Sequence, residues 1–370
     1  FYPIMSEPST FRVFLSSLRA AVISSTGSAI SLPILIVRDI IRQFTGPTGK
    51  DLLDRALRST QQGVAELSSV SAQSQYVTVH AGGKDLRLHV VTAGPPSGTP
   101  CILLHGFPEF WYTYRYLVEQ LGQAGFFVIV PDQRGYNLSD APSAVSQYRA
   151  KYLVEDIREV LEHFEVGPNR KAILFCHDWG GAIGYQFAMY HPDYLSKLVP
   201  MNAPHPKTYA REAKKGWKQL FMSWYMLFFQ VPYFPEAMVI LNSKKSARSF
   251  LRDTAVTKEH FTADVLDKFA TAWDVPGRMT GMMNWYRALL RYQKDFKRVN
   301  LDHPTLQLWG SGDKFLSVGI SDIKKYVPNS STVFVDECGH WIQNEAPAQI
   351  WKHIQPFISS SSSLSSSSSA

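Results

Sequence analysis

Short β-branched apolar runs recur along this chain with helical patterns between them, and that alternation leaves few folds open. CILLHG (101–106), FFVIVPD (126–132), KAILFCHD (171–178), LSKLVPMN (195–202), TLQLWGSGD (305–313) and TVFVDECGH (332–340) read as strands apolar on both faces. Such strands belong in a sheet buried between two layers. The clearest intervening pattern puts Leu153, Ile157, Val160, Leu161 and Phe164 on one helical face, with Glu and Arg on the other, so this helix should cover the sheet. Ahead of them, QYVTVHAGGKDLRLHVVTAG (75–94) alternates around Gly-Gly-Lys-Asp and predicts a hairpin. The expected fold is α/β: a mainly parallel sheet with helices on both faces, entered by an antiparallel hairpin.

One long segment breaks the alternation. From about His205 to Asn300 no strand pattern appears, only helical stretches rich in Trp, Phe, Tyr and Met such as WKQLFMSWYMLFFQVPYFPEAMVI. An insertion this long between two strands predicts a helical cap (lid) over the C-terminal edge of the sheet, where open α/β sheets bind ligands. The core then comprises residues 75–204 and 301–358, the cap residues 205–300, with an N-terminal extension over 1–74 and a Ser-rich tail over 359–370 left out of the fold. Within the extension, the uncharged stretch AAVISSTGSAISLPILIV between Arg19 and Arg38 is nearly long enough to span a bilayer, but Ser, Thr, Gly and Pro33 dilute it. A marginal membrane anchor, an interfacial helix flanked by Arg12, Arg19, Arg38 and Arg42, and a helix laid on the outside of the domain all fit it. An intracellular setting, at a membrane of endoplasmic-reticulum type or in the cytoplasm, accommodates each. Removing residues up to about 70 should leave activity intact. The chain opens on Phe1, with Met5 a candidate start.

Composition excludes other classes. A formal charge of +7 is spread among acidic residues without a basic run, which argues against a nucleic-acid partner. Cys101, Cys176 and Cys338 are an odd set, far apart in sequence, and read as buried thiols instead of a disulfide framework or zinc site. No metal-ligand spacing and no phosphate-cradling glycine loop appears, so neither metal nor organic cofactor is expected.

The strand KAILFCHD runs straight into WGGAIGYQFAMY, and Asp178 stands at the junction. A cramped strand-to-helix elbow needs small neighbours so that its central side chain can stand above the sheet, and Gly180 and Gly181 supply that room. Cys176 fills the first small position, where Gly is usual. Taken alone, Asp178 suits helix cap and nucleophile equally. Asp313 after TLQLWGSG and His340 after TVFVDECG change the balance, because nucleophile, acid and histidine then follow one another on successive strand ends. Asp336 and Glu337 are alternative acids, but they lie too near His340 in sequence to be favoured.

These stretches resemble the epoxide hydrolases of the α/β-hydrolase family, particularly their membrane-associated relatives. The likeness covers about residues 75 to 358 and is carried by HGFPEFWYTYR (105–115), PDQRGYNLSDAP (131–142), CHDWGGAIGYQFA (176–188), WYMLFFQVPYFPE (224–236), GMMNWYR (281–287), LWGSGDKF (308–315) and ECGHW (337–341). Dehalogenases share the first, third and last, so the two cap stretches are the specific ones. They bring Tyr225 and Tyr286 into register with the paired tyrosines by which the family holds an epoxide oxygen. Without the resemblance, each reads more simply as a packing residue. Asn137 stands where the family has Gly, which bears only on the local turn.

The resemblance implies a small apolar epoxide and water as substrates. Asp178 attacks carbon without prior deprotonation, and the two tyrosines donate to the departing oxygen. His340, oriented by Asp313, activates the water that releases a vicinal diol from the Asp178 ester. The N–H groups of Phe107 and Trp179 form the oxyanion hole. A haloalkane dehalogenase is the nearest alternative, with the Trp179 indole as a halide donor. Against it, HGFP lacks the polar residue those enzymes often carry after the Gly. A non-catalytic lipid-binding homologue is the alternative from another class, and an esterase would call for Ser at position 178.

Overall fold

The computed structural model describes residues 48–215 and 222–360. The apolar stretch over residues 20–37 lies outside them, as do the serines beyond Ser360. Among the described residues no helix is long and apolar enough to cross a membrane.

The described chain begins with a helix, α1 (Thr48–Glu66), and then forms the hairpin β1 (Gln73–Val79) and β2 (Leu86–Ala93). Next come β3 (Pro100–Leu104), α2 (Arg115–Gln123), β4 (Phe127–Pro131), α3 (Ala150–His163), β5 (Ala172–His177), α4 (Asp178–Tyr190) and β6 (Leu195–Met201). The eight strands line up as β1-β2-β4-β3-β5-β6 and, from after the insertion, β7 (Thr305–Gly310) and β8 (Ser330–Val335). β1 and β2 pair antiparallel, β2 meets β4 antiparallel, and every later pairing is parallel. The crossing of β4 past β3 to reach β2, while β3 turns to β5, creates a switch point beside β5, where such sheets open a crevice.

The central strands are buried throughout, as their unbroken apolar runs require. β8 departs from that expectation. It is an edge strand, so one face meets solvent and Phe334 is 48 % exposed. In α3 the apolar face carries Leu153, Ile157, Val160 and Leu161 into the core as expected, with the buried Asp156 beside them accepting both arms of Arg134 at 2.8 and 2.6 Å. Between β6 and β7 run helices α5 (Pro206–Lys215), α6 (Trp224–Phe228), α7 (Phe234–Ile240), α8 (Ser243–Ala247), α9 (Ala263–Asp274) and α10 (Arg278–Arg291). A short helix, α11 (Ile342–Glu345), and a longer one, α12 (Pro347–Ser359), follow β8. Lys197 closes α12 by donating to the carbonyls of Phe357 (2.7 Å) and Ser360 (2.6 Å), so the first serines of the tail belong to the fold.

α1 is built into the molecule as well. The Tyr112 hydroxyl donates to Glu66 at 2.5 Å, and Lys268 of α9 pairs with the same carboxylate at 3.1 Å. Ala56 packs with Leu138 and Val275 in a small apolar cluster of its own. Sequence periodicity hides this because the contact stripe mixes Ala, Thr60 and Glu66 with a few leucines. Deleting residues through 70 therefore removes a docked helix. We expect that deletion to lower the unfolding midpoint by at least about 5 °C, through lost apolar burial and the loss of the Glu66 carboxylate from Tyr112 and Lys268. An unchanged midpoint in a thermal melt would show α1 to be dispensable.

Candidate active site

Asp178 holds φ at +49°, in the left-handed region that an Asp tolerates better than most side chains. The crowding of the elbow explains its neighbours. A Cβ at Gly180 would collide with the backbone oxygens of Leu104 and His105, and one at Gly106 would strike the Asp178 side chain itself. Cys176 is accommodated because Gly184, two turns into α4, leaves room for its sulfur. Asn137 also takes a positive φ, +40°, which its short polar side chain permits in place of Gly.

The Phe107 N–H donates to Asp178 Oδ1 at 2.9 Å. His340 Nε2 faces Asp178 Oδ2 at 3.6 Å, too long for a hydrogen bond but well placed for a charge interaction. On the far side of the ring, Nδ1 donates to Asp313 Oδ2 at 2.8 Å. Asp313 in turn accepts the N–H groups of Phe315 (2.7 Å) and Leu316 (3.0 Å) on Oδ1. The structure thus brings Asp178, Asp313 and His340 into one line. Asp336, an alternative acid on sequence grounds, instead accepts the Ser311 hydroxyl at 3.1 Å.

The two cap tyrosines arrive from different helices, Tyr225 from α6 and Tyr286 from α10. Their rings are 5.9 Å apart, and Tyr286 also lies edge-on to Trp179 (4.9 Å) and Phe107 (5.1 Å). A buried ion pair ties α10 to α7, and further bonds from the same arginine hold the chain leaving α6. Arg287, next to Tyr286, donates to Glu236 at 2.7 Å and to the carbonyls of Phe229 and Val231 at 2.9 Å each, in the loop that follows Tyr225. Trp285 donates its indole N–H to the carbonyl of Arg134 at 3.0 Å, seating α10 on the core.

Electrostatics sets the protonation of the site. Burial would lift the Asp178 carboxyl, but His340, His177 behind it and the Phe107 N–H together hold it below the ordinary value. Burial disfavours a charged His340, yet the carboxylates of Asp313 and Asp178 on either side outweigh it and push the imidazole up to about 10. Both cap tyrosines are raised well above 10, first by burial and then by neighbouring charge, with Asp178 contributing to each. They therefore stand as neutral proton donors beside an ionised carboxylate.

The family model for the alpha/beta hydrolase fold matches residues 99–347. The chain is 33% identical to human Epoxide hydrolase 4 over 76% of its own length and 78% of the relative's. The chain belongs to the epoxide hydrolases of the α/β-hydrolase fold. The AB hydrolase superfamily protein YfhM of Bacillus subtilis (strain 168) is 37% identical, over 74% of this chain and 94% of that protein. Among solved structures, the epoxide hydrolase of Bacillus megaterium in complex with an inhibitor superposes with a TM-score of 0.68 at 29% identity, covering 77% of this chain and all of that one.

Sequence reasoning missed several groups around the site of this epoxide hydrolase. Asn202, at the end of β6, donates to Asp313 Oδ2 at 2.6 Å and accepts the Gly310 N–H at 3.0 Å, so it aims the acid. A polar residue closing a buried strand is the signal that could have singled it out. Glu109 and His177 form a buried pair at 2.6 Å beneath the elbow. His177 Nε2 meets the carbonyl of His340 at 2.8 Å, and since a carbonyl only accepts, that nitrogen carries the hydrogen. Burial opposes charge on Glu109, but His177 beside it keeps the carboxyl below its ordinary value. Nothing in the spacing of HGFPE and CHD announces that contact.

Proposed function

We propose that this epoxide hydrolase opens an apolar epoxide in two covalent steps. The convergence of an ionised Asp178, a doubly flanked His340 and two neutral cap tyrosines supports this reading. In the first step an Asp178 oxygen attacks an epoxide carbon, the C–O bond breaks, and Tyr225 or Tyr286 gives its proton to the leaving oxygen. This leaves an alkyl ester and a tyrosinate.

Protons then balance within the site. Esterification removes the Asp178 charge that helped hold His340 protonated, so the imidazolium gives its proton back toward the tyrosinate and becomes a neutral base. In the second step His340 takes a proton from water, hydroxide adds to the ester carbonyl, and the N–H groups of Phe107 and Trp179 receive the oxyanion. Collapse expels the product oxygen, which takes the second proton of the attacking water to complete the diol, and leaves the Asp178 carboxylate beside a protonated His340, the resting state. Asp313 and Asn202 keep the ring aimed throughout.

Aromatic surfaces of Phe107, Trp179 and Phe229 around Tyr286 suit an apolar substituent on the epoxide. A variant of the Bacillus megaterium epoxide hydrolase, 30% identical to this chain, has been solved with a naphthyloxy-propane diol as its product. Halide displacement fits less well, because the Trp179 indole already faces Tyr286. Replacing Tyr225 or Tyr286 singly by Phe should slow ring opening by about 10-fold to 100-fold, and replacing both should nearly stop it while apolar ligands still bind. Stopped-flow ring opening with an aryl epoxide measures this. A double variant at wild-type rate would reduce both tyrosines to packing groups.

A further inference from the structure

The loop bearing His340 is held by a carboxylate that neither step above uses. Glu345, buried on α11, accepts four backbone N–H groups. Its Oε2 takes those of Gly339 (2.9 Å), Val256 (2.8 Å) and Thr257 (3.0 Å), and its Oε1 takes that of Trp341 (3.0 Å). Gly339 and Trp341 are the residues on either side of His340. Val256 and Thr257 lie in the insertion, between α8 and α9.

Two further bonds join the same pieces. Trp341 donates its indole N–H to Thr254 at 2.8 Å, and Thr257 donates its hydroxyl to the Glu337 carbonyl at 2.8 Å. The approach is close enough that a Cβ on Gly339 would sit 2.8 Å from Glu345 Oε1. A carboxylate offers acceptors only, which matches four converging donors, and charge-assisted bonds of this kind are the strong ones. An amide cannot reproduce them, because its NH2 would face N–H groups.

We propose that Glu345 is a positioning residue for His340, clamping the histidine loop to the 254–257 segment of the insertion. The clamp serves the hydrolytic step and not the ring opening, since Asp178 attacks without help from a base. This rests on the two-step reading above. A merely structural buried carboxylate would, when altered, depress both steps together; a positioning one separates them.

Rapid-quench mixing with styrene oxide, followed by intact-protein mass spectrometry, gives both rates from the rise and decay of the Asp178 adduct. For Glu345→Gln we expect adduct formation within about 2-fold of wild type and adduct hydrolysis slowed by about 10-fold to 100-fold, the cost of a misplaced catalytic group. Equal slowing of both steps, or wild-type hydrolysis, overturns the proposal. If Glu345→Gln does not fold, Glu345→Asp, which keeps the charge on a shorter arm, should fold and show the same selective hydrolytic defect. An Asp variant with normal hydrolysis, or failure of both to fold, overturns it as well. His340→Gln is run alongside. If that variant forms no adduct, the two-step reading has fallen and the role of Glu345 falls with it; if it traps adduct while Glu345→Gln turns over normally, only the role of Glu345 is lost.

Discussion

Replacing His340 by Gln is expected to convert the enzyme into its own trapped intermediate. In the proposed mechanism His340 Nε2 faces Asp178 but takes no part in the attack, so the variant should open one epoxide and then stall with the ester in place. Intact mass after incubation with an aryl epoxide should rise by one substrate per chain, and digestion should map the label to the peptide containing Asp178. Steady-state diol formation should fall by about 10⁴-fold or more. Direct attack of water on the epoxide, with His340 as the base, predicts no adduct at all. An unlabelled His340→Gln protein that is folded and binds substrate would overturn the role given to the aspartate.

Asp178→Ala should abolish diol formation and leave no label, whatever the state of His340. Its effect on folding is the smaller matter. The side chain is partly exposed and makes one backbone hydrogen bond, but Ala at φ +49° costs about 1 kcal/mol that Asp mitigates locally. Removing the carboxylate also frees His340 from one of its two flanking charges, so the imidazole of this variant should titrate lower than in the parent. NMR titration of the ring follows that shift. Residual turnover within about 100-fold of wild type would exclude a covalent Asp178 ester as the main route.

How much of this was legible beforehand depended on whether the signal was local. The strand-to-helix junction at Asp178, the Gly-His pair and the strand end before Asp313 are short-range patterns, and the buried strands announce themselves by unbroken apolar runs. The parallel sheet, the hairpin and the helical insertion follow from the same patterns. What sequence could not convey is contact between distant stretches. Asn202 meets Asp313 across 111 positions, Glu345 gathers donors from Val256 and Thr257, and Arg287 reaches back to Glu236. Each is a polar residue that, in isolation, reads as an ordinary surface group. β8 was misjudged for a related reason: a short apolar run does not say whether a strand has a neighbour on both sides. α1 was overlooked because its docking depends on a few side chains met by partners in the core and cap.

The order of the strands has a bearing on biogenesis. Asp178 is carried by β5 near the middle of the sheet, whereas His340 hangs from β8 at the rim, 162 residues later in the sequence. A nascent chain therefore completes the half of the site that holds the proposed nucleophile well before the half that holds His340. β8 pairs with β7, the strand made just before it, so it can join the sheet only after β7 has been added. Turnover of a fluorogenic epoxide would thus report docking of the final strand, making catalysis a sensitive clock for the closing stage of folding.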